Sequence, residues 1–176
     1  ALHGKYGEDG VIQSQLESMN IPFTGASSYS SKNAFNKIKS REILKKINVP
    51  IADGEVLYNA DELSLPFPVV LKPPREGSSL GCNIVMNAQA YKSSFLDTYS
   101  YSHEVLVETY IPGRELTAGI IGNKVLPILE IFTGDSWYNF DSKYKNKKTE
   151  YKVPANLDPS VEAKIKSIAF DVYNGL

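Results

Sequence analysis

An apolar run that ends in a lysine and a glycine-rich loop constrains this chain more than any other feature. The β-branched pair Val69–Val70 and Leu71 favour a buried strand, since prolines stand on both sides of the run. Lys72 ends this strand, and Pro-Pro-Arg-Glu-Gly-Ser-Ser-Leu-Gly follows up to Gly81. Glycines let a backbone approach a ligand closely, and serine hydroxyls and free amides can donate to anionic oxygens. The junction indicates a nucleotide-phosphate site, although a solvated connecting loop has the same composition.

Composition excludes several classes of partner. The 176 residues are 42% hydrophobic and 22% charged, and 19 basic against 20 acidic side chains give a formal net charge of -1. Such a balance provides no global field for nucleic acid or an anionic membrane. The single cysteine, Cys82, cannot form an intrachain disulfide or a cysteine-based metal cluster. With no signal peptide and no run of about 20 apolar residues, the sequence predicts a cytoplasmic protein without membrane or nucleic-acid partners.

Both ends of the sequence look interrupted. The chain starts at Ala1 without an initiator methionine and stops at Leu176, where a helix over residues 161–173 would finish. A glycine such as Gly175 after a helix normally leads into another element. We therefore expect an interior segment of a longer protein.

Periodicity predicts an α/β (α+β) chain with two sheets. Residues 8–19 have helical spacing of apolar side chains, and a second helix is expected to run from the serine-rich stretch 27–31 to about Asn48. Alternating runs after Arg114, with a turn at Gly122-Asn123, predict a hairpin in a second sheet. The further predicted elements are strands at 21–25, 54–58, 69–72, 83–86 and 104–108, a helix at 88–98, and hairpin strands at 115–121 and 124–132.

Two acidic side chains flank a Pro-Gly break between predicted strands. Glu108 and Glu115 stand on either side of Thr109–Arg114. Carboxylates there can accept hydrogen bonds from ribose hydroxyls, and an extended backbone can pair with an adenine edge. Two exposed strand-end glutamates would give the same pattern.

An aromatic segment, residues 137–144, leads into a lysine-rich stretch. Trp137 and Tyr144 stand at its ends, and the pattern is typical of ligand contact, of nucleic-acid stacking or of a solvated loop. The near-neutral chain disfavours nucleic acid. The two histidines, His3 and His103, lack metal-ligand spacing, so no metal ligands are assigned.

Several motifs in fixed order resemble the D-alanine–D-alanine ligases, which have the ATP-grasp fold. The motifs span essentially the whole chain and are His3-Gly-Lys-Tyr-Gly-Glu-Asp-Gly10, Ile21-Pro-Phe-Thr-Gly25, Lys37, Lys72-Pro-x-x-Glu-Gly-Ser-Ser-Leu-Gly81, Gly113-Arg-Glu-Leu-Thr117 and Lys143-Tyr144. The resemblance implies three parts: 1–28 ends an N-terminal substrate-binding α/β domain, 29–110 is the central ATP-grasp subdomain, and 111–176 begins the C-terminal ATP-grasp domain.

The resemblance also implies ATP-dependent ligation of two D-alanine molecules through an acyl phosphate, for peptidoglycan precursor synthesis by a homodimer. Lys37 and Lys72 would hold phosphates, with the amides of Ser78 and Ser79 closing over them. The remaining implied roles are adenine binding by Glu108, Thr109 and Ile111, ribose binding by Glu115, an aromatic border by Trp137, phosphoryl contact by Lys143, catalytic substrate positioning by Ser78 and Tyr144, and D-alanine binding by His3 and Glu8.

The expected magnesium ligands lie in the family's C-terminal region, which this sequence does not contain. We therefore expect the 176 residues alone to bind ATP weakly and not to turn over. One alternative is a D-alanine–D-lactate-type ligase, which the pair Lys143-Tyr144 disfavours because those relatives alter the loop that carries it. Another is a non-catalytic nucleotide-binding module.

Overall fold

A computed structural model describes residues 2–133 and 149–176 and divides the chain into two units. The first unit contains residues up to 43, residues 51–111 and the terminal Leu176, and the second contains residues 44–50 and 112–175. The helices are α1 (Val11–Ser18), α2 (Ser28–Phe35), α3 (Lys37–Lys46), α4 (Ala88–Tyr99) and α5 (Pro159–Gly175). The strands are β1 (Gly54–Leu57), β2 (Val69–Lys72), β3 (Asn83–Val85), β4 (Val105–Thr109), β5 (Glu115–Thr117), β6 (Ile120–Ile121), β7 (Lys124–Val125), β8 (Leu129–Phe132) and β9 (Glu150–Lys152).

The first unit is built on an antiparallel sheet in the order β1-β4-β2-β3. Side chains alternate between the two faces of a strand, so Val69 and Leu71 share one face and Val70 and Lys72 share the other. The first pair is fully buried and packs with Val105, Val107 and the aromatic side chains of α4. Helix α4 therefore covers one face of the sheet, and Lys72 lies on the opposite face.

Aromatic side chains at every fourth position hold α4 against this core. The rings of Tyr91, Phe95, Tyr99 and His103 follow one another with centroid separations between 5.3 and 5.9 Å. Burial raises the pKa of Tyr91 to about 12. Since i and i+4 side chains lie on the same helix face, Tyr91, Phe95 and Tyr99 form one aromatic stripe on α4. The ring of Phe67 packs at its Tyr91 end, and that of His103, beyond the helix, at its Tyr99 end.

The single helix expected from the serine-rich stretch to Asn48 is wrong, because Asn36 interrupts it. Asn36 has an extended backbone, with ψ of 102°. Its Oδ1 accepts hydrogen bonds from the amides of Ile38 and Lys39, so it caps a new helix, α3. Ser27 caps α2 as expected, by accepting from the Ser30 amide. The break places Lys37 at the first turn of α3.

The second unit contains a sheet in the order β5-β8-β9 and the hairpin β6-β7. Ile121 pairs with Lys124 across the predicted turn at Gly122-Asn123, which confirms the hairpin. The two long strands expected on either side are each broken into shorter pieces. Within residues 2–133 and 149–176, no helix has both the length and the apolar character needed to cross a membrane.

Candidate functional site

Lys72 and Glu108 meet on the sheet face that lies away from α4. Glu108 is in register with Val70 of β2 and with Gly54 of β1, which brings its side chain beside that of Lys72. The Lys72 ammonium donates to Glu108 Oε2, and the Glu108 side chain is only 12% exposed. The strand-end lysine and the predicted adenine-site glutamate therefore form one ion pair.

The glycine-rich loop after Lys72 turns sharply through two consecutive serines. Ser78 and Ser79 have φ of 54° and 60°, in the left-handed region that non-glycine residues seldom adopt. The Leu80 amide donates to the Gly77 carbonyl at 3.0 Å, and this bond closes the turn. Such strained backbone is concentrated at ligand-binding sites. The two serines and this hydrogen bond hold the loop in a tight turn.

Lys37 reaches this loop from the start of α3. Its Nζ donates to the carbonyls of Pro73 at 3.0 Å and Glu76 at 2.5 Å. Burial lowers the pKa of the Lys37 ammonium, and the positive charge of Lys72 acts in the same direction. The structure thus brings Lys37 to the loop that follows Lys72, so the two lysines that the family resemblance assigns to phosphate lie near each other.

A second loop, residues 3–10, packs near the first. Glu8 Oε2 accepts from the Gly4 amide at 2.6 Å, and the imidazole Nδ1 of His3 lies 3.9 Å from Glu8 Oε1. Lys5 of this loop pairs with the Glu76 carboxylate at 2.5 Å. The two residues predicted to bind D-alanine, His3 and Glu8, are therefore neighbours, and Lys5 joins their loop to the glycine-rich one.

The predicted adenine segment ends the first unit. The Thr109 amide donates to Asp53 O at 2.9 Å and the Tyr110 amide to Pro68 O at 3.0 Å, so both are already used within the sheet. Ile111 is 68% exposed. Of the three amides at residues 109–111, that of Ile111 is therefore the candidate to pair with adenine.

The remaining predicted residues are spread over other parts of the chain. Glu115 begins β5 in the second unit, in register with Ile131 of β8. Next to it, Arg114 forms a two-pronged pair with the buried Glu130, with both N–O distances 2.6 Å, which fixes the start of β5. Trp137, Lys143 and Tyr144 lie outside the described residues, so their roles stay predictions.

Sequence reasoning missed two residues of this site. Arg41 is the buried residue of α3, at a position where helical periodicity predicts an apolar neighbourhood, and it donates to Glu108. Thr98 of α4 is fully buried and donates to the carbonyl of Gly81, the last residue of the loop, at 2.8 Å. The sequence does show an arginine between apolar positions of α3, which could have indicated a buried ionic contact. The Thr98 hydrogen bond joins residues 17 positions apart and has no signal in the sequence.

No cluster of three metal-ligating side chains occurs within residues 2–133 and 149–176. The carboxylates near the loop are already engaged, since Glu76 pairs with Lys5 and Glu108 with Arg41 and Lys72.

Comparison with known proteins agrees with this architecture. Residues 39–176 match the family described as D-ala D-ala ligase C-terminus. The D-alanine–D-alanine ligase of Citrifermentans bemidjiense is 38% identical over 94% of this chain and 55% of its own length. That of Beijerinckia indica is 38% identical over 100% of this chain and 59% of its own length. The chain thus spans a little over half the length of these relatives.

Solved structures give the same result. The D-alanine–D-alanine ligase of Bacillus anthracis superposes with a TM-score of 0.86 at 34% identity, covering 99% of this chain and 59% of that one. Its complex with ATP gives 0.82 at 31% identity, covering 99% and 58%. The VanG D-Ala:D-Ser ligase of Enterococcus faecalis gives 0.86 at 27% identity, covering 99% and 54%.

The sheet, the glycine-rich loop and the paired lysines define an ATP-grasp fold, which these solved structures share. The match over residues 39–176 is more specific than the fold. The chain belongs to the D-alanine–D-alanine ligase family.

Proposed function

We propose that the gene product containing this chain joins two D-alanine molecules in an ATP-dependent reaction, and that the dipeptide serves as a peptidoglycan precursor. A carboxylate oxygen of the first D-alanine attacks the γ-phosphorus, the bond to the ADP oxygen breaks, and an acyl phosphate forms. The amine of the second D-alanine then attacks the acyl carbon and loses a proton, and inorganic phosphate leaves. Family membership together with the lysine-lined glycine loop supports this proposal.

In this proposal the first unit binds the nucleotide phosphates. Lys72 and Lys37 hold the α and β phosphates, and the amides of Ser78 and Ser79 close over them. Charge-assisted hydrogen bonds of this kind stabilise developing charge in phosphoryl transfer. Since Lys37 already donates to two loop carbonyls, its ammonium links the loop position to the bound phosphate.

Other groups complete the proposed site. Adenine would lie against Glu108, Thr109 and Ile111, and the ribose against Glu115, while Trp137, Lys143 and Tyr144 keep their sequence-based roles. His3 and Glu8 would contact D-alanine. Magnesium, held by ligands expected in the family's C-terminal region, would neutralise phosphate charge when bound. The homodimer follows from the family resemblance, and the cytoplasmic location follows from the composition of the sequence.

The identity of the second substrate needs a direct test, because one structural relative is a D-Ala:D-Ser ligase. The test is D-alanine-dependent phosphate release from ATP by the gene product, with the dipeptide detected by mass spectrometry. D-alanine, D-serine and D-lactate are supplied in turn as the second substrate. We expect the D-alanyl-D-alanine product to dominate. ATP binding without any condensation product would contradict ligase activity and favour a nucleotide-binding module.

A matched pair of lysine variants links this activity to the described site. Lys72→Met removes a phosphate ligand, whereas Lys92→Met removes the same charge from an α4 side chain that is 74% exposed and paired with Asp61. Loss of one ionic hydrogen bond weakens binding by about tenfold to a hundredfold. We expect ligase activity to fall by this factor in Lys72→Met and to stay unchanged in Lys92→Met. Equal activity in the two variants would contradict the phosphate role of Lys72.

A further inference from the structure

Arg41 lies beneath the Lys72–Glu108 pair rather than in the loop itself. Its side chain is 11% exposed, and its Nη1 donates to Glu108 Oε1 while Lys72 donates to Glu108 Oε2. The Nη2 atom donates to the carbonyl of Ala52 at 2.7 Å. The guanidinium is thus fixed at two points, and one carboxylate is shared by two cations.

The surrounding backbone leaves room for this guanidinium. Gly54 stands opposite Glu108 in the sheet, and a Cβ at Gly54 would lie 2.8 Å from Arg41 Nη2 and 2.9 Å from Val107 O. A side chain at position 54 would therefore displace Arg41. The same helix, α3, presents Lys37 and Arg41 four residues apart, so both project from one face of it.

Among the described residues of the first unit, positive charge is in excess at this face. Arg41 and Lys72 share the Glu108 carboxylate, Lys37 donates to two loop carbonyls, and the nearby Glu76 carboxylate is matched by Lys5. An excess of two positive charges on partly buried groups favours an anion of several negative charges. A nucleoside polyphosphate has that charge.

We propose that Arg41 is a positioning residue for polyphosphate binding, acting through Glu108. By holding one carboxylate oxygen, Arg41 keeps Glu108 from neutralising Lys72 completely, so the Lys72 ammonium stays oriented and available to phosphate. The inference rests on the proposed function, because it assigns phosphate binding to Lys72.

Removal of Arg41 would change the balance at Lys72. In Arg41→Met, the buried Glu108 carboxylate retains Lys72 as its partner from the shared pair, and the two ions associate more tightly in the poorly hydrated environment. A phosphate must then compete with this carboxylate for the same ammonium. The loss of Arg41 should therefore weaken binding of the ligand's phosphate chain and not binding of its adenine.

Calorimetric titration of the 176-residue chain with ATP and with inorganic tripolyphosphate tests this. Tripolyphosphate has the charge of the phosphate chain but no adenine or ribose. We expect Arg41→Met to weaken tripolyphosphate binding by about tenfold or more, the effect of losing one ionic interaction. The matched control is Lys39→Met, which removes one positive charge from α3 at an exposed side chain paired with Glu42. This control should bind as the unaltered chain does.

The double variant Arg41→Met/Glu108→Gln separates positioning from a purely structural role. It removes the competing carboxylate, so tripolyphosphate binding should return to within about threefold of the unaltered chain. A purely structural Arg41 would give no such recovery, because α3 would still lack its bonds to β4 and Ala52. The double variant also lacks the buried carboxylate that Arg41 partners, so its tripolyphosphate binding can be compared with that of the unaltered chain even where Arg41→Met does not fold.

Two results would overturn the inference. One is unchanged tripolyphosphate binding by folded Arg41→Met, and the other is a double variant that binds no better than the single one. If the unaltered chain still binds ATP in those experiments, the proposed function stands. If the unaltered chain binds neither ATP nor tripolyphosphate, this inference is wrong, and the proposed function is then decided by the product assay on the whole gene product.

Discussion

Replacement of Thr98 by valine tests how the end of the glycine-rich loop is held. Thr98 Oγ1 donates to the Gly81 carbonyl at 2.8 Å and accepts from Asn83 Nδ2 at 3.1 Å. Valine has nearly the same shape as threonine, so the packing of α4 stays filled while the hydroxyl is lost. A Cβ at Gly81 would lie 2.6 Å from the Tyr101 ring, which shows how closely this part of the loop is packed.

The magnitude follows from burial. Thr98 is 0% exposed, so water does not replace the lost hydroxyl. The Asn83 amide keeps its bond to Asp97 Oδ2 at 2.9 Å, and the main loss is therefore the donor to the Gly81 carbonyl. A buried polar group left without its partner costs about 1–3 kcal/mol. We expect Thr98→Val to lower the free energy of unfolding by that amount.

Urea unfolding, followed by circular dichroism, measures this difference. The control is Ser93→Ala, which removes an exposed α4 hydroxyl that donates to the Ala90 carbonyl. This control should stay within about 0.5 kcal/mol of the unaltered chain. A Thr98→Val variant as stable as Ser93→Ala would refute the conclusion that the Thr98 hydroxyl anchors the loop.

Two further substitutions test the packing and the pH response. Gly54→Ala should lower the free energy of unfolding by about 1–3 kcal/mol in the same assay, because the new methyl group meets Arg41 and Val107 O. Hydrogen bonds from Arg114 lower the pKa of Glu130, so the pair stabilises the fold above the usual pKa of a glutamate and this contribution is lost as the pH falls. Stability measured from about pH 7 down to about pH 3 should therefore fall less steeply in Glu130→Gln, and parallel curves would contradict the assignment.

Much of the fold could be predicted because its signals are local. The run Val69–Leu71 and the helix near residues 88–98 have periodicities that match their burial, and the observed β2 and α4 confirm both. Gly122-Asn123 predicts a hairpin from turn chemistry alone. These signals depend on neighbouring residues, so a sequence is enough to detect them.

Features that depend on distant partners were not predicted. Asn36 ends one helix and begins another, and its effect is reinforced by the Lys37 amide, which donates to Pro74 O at 3.0 Å from a different element. Helical periodicity cannot register such a break, because it records the spacing of apolar side chains and not the backbone conformation at Asn36.

The candidate site shows the same division. The glycine loop and Lys72 could be identified from strand–loop chemistry, while the roles of Lys37 and Glu108 came only from family resemblance and pattern. Lys72 meets Glu108 through the antiparallel register of β2 with β4, and Lys37 reaches the loop from the start of α3. An arginine between apolar positions of α3 is visible in the sequence, but its partner Glu108 is 67 residues away and cannot be read from the local pattern.

Backbone amide NMR during titration with ATP tests whether the glycine-rich loop binds the nucleotide phosphates. We predict that the largest shifts fall on the amides of Lys72 and of the loop residues Gly77, Ser78, Ser79 and Gly81. The α4 surface amides, such as that of Lys92, should stay unchanged. Tripolyphosphate should move the same loop amides, because the site is defined by phosphate. Shifts confined to other parts of the chain, or none at saturating ATP, would contradict the assignment of this loop as the nucleotide-phosphate site.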